Sequence, residues 1–346
     1  MCPRQTFAKK NCKLPRLNGD NIAPVIYFFE NTTSKFGNRT TGAKGVSRIY
    51  RSSRSPSVMK SPSPHSLRSL AMACAAFLGV TLLAMSAHAA DAADSGMKVA
   101  GQVSVVSDYI WRGFSQTWGK PALQASVTAD HASGAYASLF ASNISAQYVP
   151  NGSLETDLSL GYKASLKGVE LDLGGVYAYY PGANFNKASF TPAFDDADPR
   201  TLELYASATV AGVNLRAAYI PGAFFGWNVN NSGVNGVFNA EQPQAGLTGD
   251  SKGAVNIEGS YTLALKEGWS LQTTIGRQRV PHSRDVNWNY GRVGVTGELG
   301  GGWSAGLAAS FTSKPKAFRN YGSLTNNGQH ISPGKRTAIL SLSKTI

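Results

Sequence analysis

Cysteine is scarce in this sequence, and the few cysteines lie at one end. The chain has 346 residues and three cysteines, Cys2, Cys12 and Cys74. If residues 1–89 are removed, the rest of the chain has no cysteine. A disulfide framework, a thiol nucleophile and a cysteine-ligated metal are then all excluded from that remaining part.

Excess charge is also missing from most of the chain. Residues 1–89 carry 13 basic and 2 acidic side chains, so the other 257 residues carry 20 basic and 18 acidic ones. Of the net charge of +13, +11 therefore belongs to the first segment and only +2 to the other 257 residues. Because a nucleic-acid surface needs basic residues in the folded part, we predict no nucleic-acid partner.

The sequence lacks an apolar run long enough for a membrane-spanning helix. Its longest run, 70–85, has about 16 residues, whereas a spanning helix needs about 20. Lys60 and Arg68 precede the run and Ala87-His88-Ala89 follows it, a pattern typical of an export signal. We predict a signal peptide at 59–89.

The segment before this signal has no sustained periodicity. Residues 1–58 are basic and rich in Ser, Pro and Arg. We predict that they lie upstream of the true start, at Met59, and encode nothing folded, or alternatively that they form a disordered extension. Residues 90–98 are predicted to be a short N-terminal segment of the exported protein.

From Val99 onward the dominant sequence period is two. Leu158 and Leu160, for example, alternate with Asp157 and Ser159. Side chains along a strand point to alternate faces, so such segments have one apolar and one polar face. We predict an all-β fold with twelve strands, at roughly 99–112, 122–130, 135–144, 154–163, 169–180, 201–210, 213–220, 254–265, 269–279, 290–299, 303–313 and 336–346. The orientation of the third strand stays open, because both its faces carry apolar residues.

The connections between these strands alternate between long and short. The long ones are 113–121, 145–153, 181–200, 221–253, 280–289 and 314–335. This asymmetry is typical of an antiparallel transmembrane β-barrel with short periplasmic turns and long external loops. We therefore predict that residues 99–346 form a barrel of about 12 strands in the outer membrane of a Gram-negative cell. Its predicted partners are outer-membrane lipid, the barrel-assembly machinery and small solutes.

Aromatic residues cluster near the predicted strand ends on the apolar face. Tyrosine and tryptophan favour the membrane–water interface, so two aromatic belts are expected. The alternative is the aromatic core of an ordinary globular protein. The predicted interface residues are Tyr109, Trp111, Tyr162, Tyr177, Tyr179, Tyr219, Trp269, Tyr290 and Trp303.

The polar faces carry charged residues that would line the lumen. Carboxylates in a pore raise the local concentration of cations. With nine acidic and four basic residues facing inward, we predict mild cation preference. The acidic residues are Asp108, Asp130, Glu155, Asp157, Glu170, Asp172, Glu203, Glu258 and Glu298. The basic residues are Arg112, Lys163, Arg216 and Arg292.

Asp108 and Arg112 are four residues apart on the first predicted strand. This spacing places them on one face, the polar one. They are predicted either to belong to a lumenal ion pair that fixes the register or to contact passing solutes.

The segment 103–124 reads VSVVSDYIWRGFSQTWGKPALQ. Its V-S-D-Y, R-G and S-Q-T-x-G-K-P-A-L-Q elements begin at Val106, Arg112 and Ser115. They resemble the opening signature of a proteobacterial outer-membrane family of uncharacterised function whose members are called porins, the TorF-type family. The resemblance extends over essentially the whole exported chain. It implies an outer-membrane β-barrel and offers no established active site.

Catalytic and metal-binding patterns are weak. His131, His282 and His330 all fall outside the predicted strands, so a lipase-like constellation on the barrel wall is not expected. The acidic run Asp195-Asp196-x-Asp198 lacks the glycine and distal glutamate of a calcium loop. We predict no cofactor, no metal and no enzymatic activity. The expected function is passive diffusion of small hydrophilic solutes. A non-conducting structural or ligand-binding barrel, or a lipid-modifying enzyme, stays possible.

Overall fold

The structure is a computed structural model that describes residues 96–189, 197–313, 315–325 and 328–346. The predicted signal peptide, the segment before it and most of residues 90–98 lie outside the described residues. Asp195 and Asp196 of the acidic run also lie outside them. Within the described residues, no helix is long and apolar enough to cross a membrane.

The described residues form strands, with very little helix. One short α-helix, α1, spans Val229–Ser232, and three 3-10 turns span Phe185–Lys187, Phe224–Gly226 and Lys316–Phe318. The strands are, in chain order, β1 (Met97–Val106), β2 (Ile110–Trp111), β3 (Phe114–Ser115), β4 (Ala122–His131), β5 (Ala135–Asn143), β6 (Leu154–Leu166), β7 (Val169–Tyr179), β8 (Thr201–Val210), β9 (Val213–Ile220), β10 (Gly246–Leu247), β11 (Ala254–Ala264), β12 (Trp269–Arg279), β13 (Ser283–Arg284), β14 (Trp288–Gly300), β15 (Trp303–Thr312), β16 (Tyr321–Gly322), β17 (His330–Ile331) and β18 (Thr337–Thr345).

Twelve of these strands close into one barrel. Their order around the barrel is β1, β18, β15, β14, β12, β11, β9, β8, β7, β6, β5 and β4. Each pairs antiparallel with its neighbours, and β1 closes the ring by pairing with both β4 and β18. The predicted twelve-stranded antiparallel barrel is confirmed. We call the rim that carries the short connections the turn end and the opposite rim the loop end.

The predicted C-terminal end of the first strand is wrong. It was expected to run over 99–112, but β1 stops at Val106. Beyond it, the backbone N–H of Ser107 still donates to the carbonyl of Leu340 at 2.9 Å, and the chain then leaves the wall. The other eleven strands lie within three residues of their predicted bounds.

The barrel exposes its apolar face and buries its polar one. Leu173, Ile275 and Leu307 on the outside are 59%, 63% and 58% exposed. Asn256 and Gln278 on the inside are 2% and 0% exposed. Water-facing surfaces rarely carry such a wide apolar band. The arrangement is typical of a barrel whose outer face meets lipid.

The third barrel strand, β5, now has an orientation. Phe140 is paired in register with Asp157, so the two side chains share the inner face. The hydroxyl of Tyr136 donates to Asp172 at 3.0 Å inside the barrel. Leu139 therefore points outward, and the aromatic face of β5 points into the lumen.

The loops at the loop end pack over the barrel mouth through an aromatic cluster. Phe224, Trp288 and Phe318 lie at its centre, with the Phe224 and Trp288 rings 6.3 Å apart and the Trp288 and Phe318 rings 5.7 Å apart. We call this set the aromatic cover. Its buried members and the partly buried aromatic side chains against them are Phe114, Phe224, Phe238, Trp288, Trp111, Phe225, Trp227, Phe318 and Tyr321.

The outward apolar band leads to a stability prediction. Ile275 lies in the middle of β12, where an arginine facing hydrocarbon would cost about 2–4 kcal/mol. We expect Ile275→Arg to lower the free energy of unfolding by about that amount, measured by denaturation in lipid vesicles. The control Leu265→Arg, at the turn end, should cost only about 0–1 kcal/mol. Equal effects at the two positions would contradict an outward face in lipid.

Candidate functional site in the barrel lumen

A small hairpin leaves the wall after β1 and enters the lumen. Ile110 pairs with Ser115 and Trp111 with Phe114, which leaves Arg112 and Gly113 as a two-residue turn. Both turn residues have positive φ, 43° and 87°, as a type I′ hairpin requires. We call residues 110–115 the inner hairpin. Its turn presents Arg112 at the tip.

The tip of the inner hairpin is fixed to three barrel strands. The guanidinium of Arg112 donates two hydrogen bonds to Glu203 on β8, at 2.7 and 2.8 Å, and one to Gln278 on β12 at 2.8 Å. The Trp288 indole N–H of β14 donates to the Arg112 carbonyl at 2.8 Å. The Arg112 and Glu203 side chains are 7% and 10% exposed, so water screens this ion pair little.

Glu203 has a second cationic partner. Arg216 on β9 donates to its Oε1 at 3.0 Å, and the Arg216 guanidinium also lies 4.1 Å from the Tyr205 ring centroid. The carboxylate of Glu203, itself on the wall strand β8, thus binds both the hairpin tip and a side chain of the neighbouring strand β9. Charged hydrogen bonds of this kind are short and strong, so they hold the tip in place.

The base of the inner hairpin is held by Asp108. Its Oδ1 accepts hydrogen bonds from the Ser115 hydroxyl at 2.6 Å and the Thr117 hydroxyl at 2.8 Å. The prediction that Asp108 and Arg112 share one strand face is therefore wrong, and so are both roles that were based on that shared face. The chain turns between them, and Asp108 binds the hairpin base while Arg112 binds the opposite wall.

A lumenal cavity of about 300 Å³ lies beside the tip of the inner hairpin. Its lining includes charged residues from several strands and one from the hairpin. The carboxylates are Glu155, Asp157, Glu203 and Glu258, and the guanidinium groups are those of Arg112, Arg216 and Arg292. Seven of the residues predicted to line the pore thus meet around one space.

The four cavity carboxylates differ in their surroundings. Glu203 is bound by two arginines, and Glu258 accepts a hydrogen bond from the Tyr290 hydroxyl at 2.7 Å. Oε1 of Glu155 accepts from the Tyr180 hydroxyl at 3.2 Å. Oε2 of Glu155 and Oδ1 of Asp157 are buried without a hydrogen-bond partner in the described structure.

A second cavity, of about 130 Å³, lies toward the loop end among the side chains of the aromatic cover. It shares Trp111, Glu155 and Phe225 with the lumenal cavity, so the two spaces adjoin. Phe225 has a left-handed backbone (φ 50°, ψ 38°), which is rare for a bulky residue. Together the cavities run from an aromatic mouth to a charged interior.

Other predicted pore-lining residues lie nearer the turn end. Lys163 makes a 2.6 Å ion pair with Asp130, and its ammonium lies 4.5 Å from the Tyr136 ring centroid. Asp172 accepts from the Tyr136 hydroxyl, which also hydrogen-bonds the Tyr205 hydroxyl. Glu170 and Glu298 are exposed near the turn-end rim. Their part in conduction stays a prediction.

Three of the nine predicted interface aromatics point inward, which corrects the sequence prediction. Trp111 lies on the inner hairpin, with its ring 5.3 Å from that of Phe225. Tyr109 lies 5.9 Å from the lumenal Phe140 ring, and Tyr290 is 6% exposed. They were misplaced because β1 ends early and because Tyr290 lies on the polar face of β14. The aromatics exposed on the outer face are Tyr162, Tyr177, Tyr179, Tyr219, Trp269 and Trp303.

Several lumenal residues were missed by the sequence analysis. Tyr136, Tyr205 and Phe225 are neutral aromatics, and a search for charged side chains passes over them. A signal for the hairpin was present, because Trp-Arg-Gly-Phe has the apolar–X–Gly–apolar pattern of a two-residue turn. The alternation of residues before it concealed that signal.

Comparison with protein families shows which family the chain belongs to. A family model described as a bacterial protein of unknown function (Gcw_chp) matches residues 90–346. The chain belongs to this family. No curated protein matches the sequence.

Several solved channel structures resemble the Gcw_chp barrel. The KdgM porin has 6% sequence identity and a TM-score of 0.38, over 71% of this chain and 96% of that one. OccAB1 of Acinetobacter baumannii has 12% identity and a TM-score of 0.34, over 72% and 65%. OprD of Pseudomonas aeruginosa has 12% identity and a TM-score of 0.32, over 72% and 66%. Likeness at this level concerns the fold alone.

The hairpin base gives a pH prediction for the Gcw_chp barrel. Burial raises the pKa of the Asp108 carboxyl above its usual 3.8, although the hydroxyls of Ser115 and Thr117 and the charge of Lys335 act in the opposite direction. Because the folded pKa is raised, this carboxyl contributes stability below the unfolded pKa and loses that contribution as the pH rises through the folded value. Asn in its place keeps an acceptor oxygen.

We therefore expect Asp108→Asn to gain thermal stability relative to the parent as the pH rises from about 4 to about 7. Melting curves of the two proteins in detergent, taken across this range, measure the difference. If the parent instead gains on the variant with rising pH, the carboxylate is favoured when ionised and the account of the hairpin base is wrong.

Proposed function

We propose that this protein is an outer-membrane porin through which small hydrophilic solutes diffuse passively. The narrower resemblance to TorF-type porins, an outer-membrane location, a signal peptide at 59–89 and contact with the barrel-assembly machinery belong to the same proposal. The mechanism has no covalent step. Solutes would be sorted by the width and charge of the lumen.

The observation that carries the proposal is a closed barrel with an apolar outside and a charged inside. An apolar outer band suits lipid, and a lumen lined by ionised side chains suits water. The family match begins at residue 90, directly after the expected cleavage site at Ala89, which supports export. Short turns at one rim and long loops at the other support the usual periplasmic and external orientation.

The inner hairpin is the proposed constriction. A twelve-stranded barrel is narrower than the sixteen-stranded porins, so even a six-residue hairpin fills much of its cross-section. The tip reaches both β8 and β12 through Arg112, which places it across the lumen. Passage would then depend on whether the Arg112–Glu203 pair stays closed.

A second function is favoured by the aromatic cover. Trp227, Phe238, Phe318 and Tyr321 pack over the loop end, and Phe114 of the hairpin packs against Phe318 with ring centroids 4.4 Å apart. A mouth sealed in this way would suit a non-conducting barrel that binds a ligand or serves a structural role. Conductance distinguishes the two functions.

The hairpin predicts a conductance phenotype. We expect small discrete steps from the parent protein in planar bilayers and larger steps from Arg112→Gln, because the tip loses its ion pair and can leave the lumen. Stability should fall by only about 1–3 kcal/mol, since Glu203 keeps Arg216 as a partner. Lys120→Gln, an exposed change in the same loop, is the control and should behave as the parent.

No steps from either the parent or Arg112→Gln, in protein that is folded by heat-modifiable migration, would overturn the porin proposal and favour the second function. Conductance steps of equal size from the parent and from Arg112→Gln would support a porin but would show that the inner hairpin is not its constriction.

The lumenal charges predict ion selectivity. Nine acidic and four basic residues were assigned to the inner face, and one lysine and two arginines are already paired within it. The remaining carboxylates should favour cations. In a potassium chloride gradient we expect a reversal potential of the sign that indicates mild potassium preference. A reversal potential that indicates chloride preference would contradict this assignment.

A further inference from the structure

Two carboxylates on one wall of the lumenal cavity have no ion-pair partner among the described residues. Glu155 and Asp157 lie two residues apart on β6, so they share a face about 6–7 Å apart along the strand. Glu155 is 5% exposed. Its Oε2, and Oδ1 of Asp157, are buried and accept no hydrogen bond from the described residues. Both residues line the cavity.

This wall differs from the rest of the cavity. Glu203 faces two guanidinium groups, whereas for Glu155 the Tyr180 hydroxyl donates to Oε1 and Oε2 is left without a donor in the described structure. A buried carboxylate oxygen without a donor is unfavourable, so a ligand that brings N–H donors and positive charge would satisfy Glu155 and Asp157. The required ligand group is a cation with several donors.

The third guanidinium of the cavity lies across the lumen from this wall. Arg292 is on β14, and five strands separate β14 from β6 in either direction around the closed barrel. The two carboxylates and Arg292 therefore stand on opposite walls. A bound cation would be held against β6, because the charge on the far wall repels it.

Aromatic rings adjoin the two carboxylates. Trp111, Phe140 and Phe225 line the lumenal cavity, and Trp111, Phe225 and Glu155 also line the aromatic cavity above it. Ammonium groups are attracted to the faces of aromatic rings, and an apolar group attached to the ammonium would fill the aromatic cavity. The described residues contain no cluster of three acidic or histidine side chains that could hold a metal, so an organic cation fits better than a metal ion.

We propose that Glu155 and Asp157 bind the protonated amino group of a small organic cation whose apolar or aromatic part lies against Trp111 and Phe225. The proposal rests on the proposed function only in that such a cation would be a permeating solute. The site itself requires a folded barrel and does not require conduction. Cavities of about 300 and 130 Å³ limit the ligand to a small one.

Three probes of similar shape and different charge test the site. The full exported chain, folded in detergent at neutral pH, is titrated with 2-phenylethylammonium, 2-phenylethanol and 3-phenylpropanoate. Calorimetry measures binding, and tryptophan fluorescence reports contact near Trp111. We expect the ammonium to bind at least about tenfold more tightly than the alcohol, as charged hydrogen bonds allow, and the carboxylate to bind most weakly.

Variants then assign the binding to the two carboxylates. We expect the double variant Glu155→Gln, Asp157→Asn to lose at least about tenfold in affinity for 2-phenylethylammonium. Glu267→Gln makes the same chemical change in a turn at the other end of the barrel and should bind as the parent does. If the double variant does not fold, the comparison of the three probes on the parent protein still decides the proposal.

Three results would overturn the site: equal binding of the ammonium and the alcohol, unchanged affinity in the folded double variant, or no binding of the ammonium at millimolar concentration. Binding without conductance steps would refute the porin function and retain the site. Conductance steps without binding of the ammonium would refute the site and retain the porin function.

Discussion

Backbone hydrogen bonding in a sheet without free edges is the constraint on which this structure depends. In hydrocarbon, each unpaired N–H or C=O costs several kcal/mol, so a membrane-spanning sheet must close. Here β1 closes the ring by pairing with β18 on one side and β4 on the other. Closure gives every strand one inward and one outward set of side chains, because the side-chain period of a strand is two. In this barrel the outward set is apolar and the inward set is polar, and that arrangement supports the proposed location.

The lumen is more closed than its charge pattern suggests. A hairpin tip with two positive-φ residues enters it, and one buried glutamate of the wall binds both Arg112 of the tip and Arg216 of the neighbouring strand. Loops then pack aromatic rings over the mouth. The lumen therefore has an aromatic entrance at the loop end and a charged interior. If the protein conducts as proposed, such a path would favour solutes that are both cationic and apolar, which links the porin proposal to the proposed site at Glu155 and Asp157.

Much of the barrel could be predicted from the sequence, because alternation in segments such as 154–163 directly reflects two faces in two environments. The lumenal position of Glu155, Asp157 and Glu203 follows from the same period. The inner hairpin could not be predicted in this way, since Ser107 to Trp111 continue the alternation after the chain has left the wall. Which lumenal charged side chains contact one another depends on the stagger of the strands and on how the loops fold. A local sequence pattern predicts neither of these. Phe225 reaches the site through a rare backbone conformation that sequence reasoning has no means to anticipate.

The central claim is that the apolar face of a closed barrel meets lipid while its polar face meets water. Residues 90–346 contain no cysteine, so in a protein of these residues single cysteines can be placed along β12 from residue 270 to residue 276 and labelled with a spin probe in lipid vesicles. The account predicts that odd-numbered positions, including Ile275, are relaxed by oxygen dissolved in the bilayer and even-numbered ones, including Thr274, by a water-soluble reagent. Reversed phases, or no alternation, would contradict it.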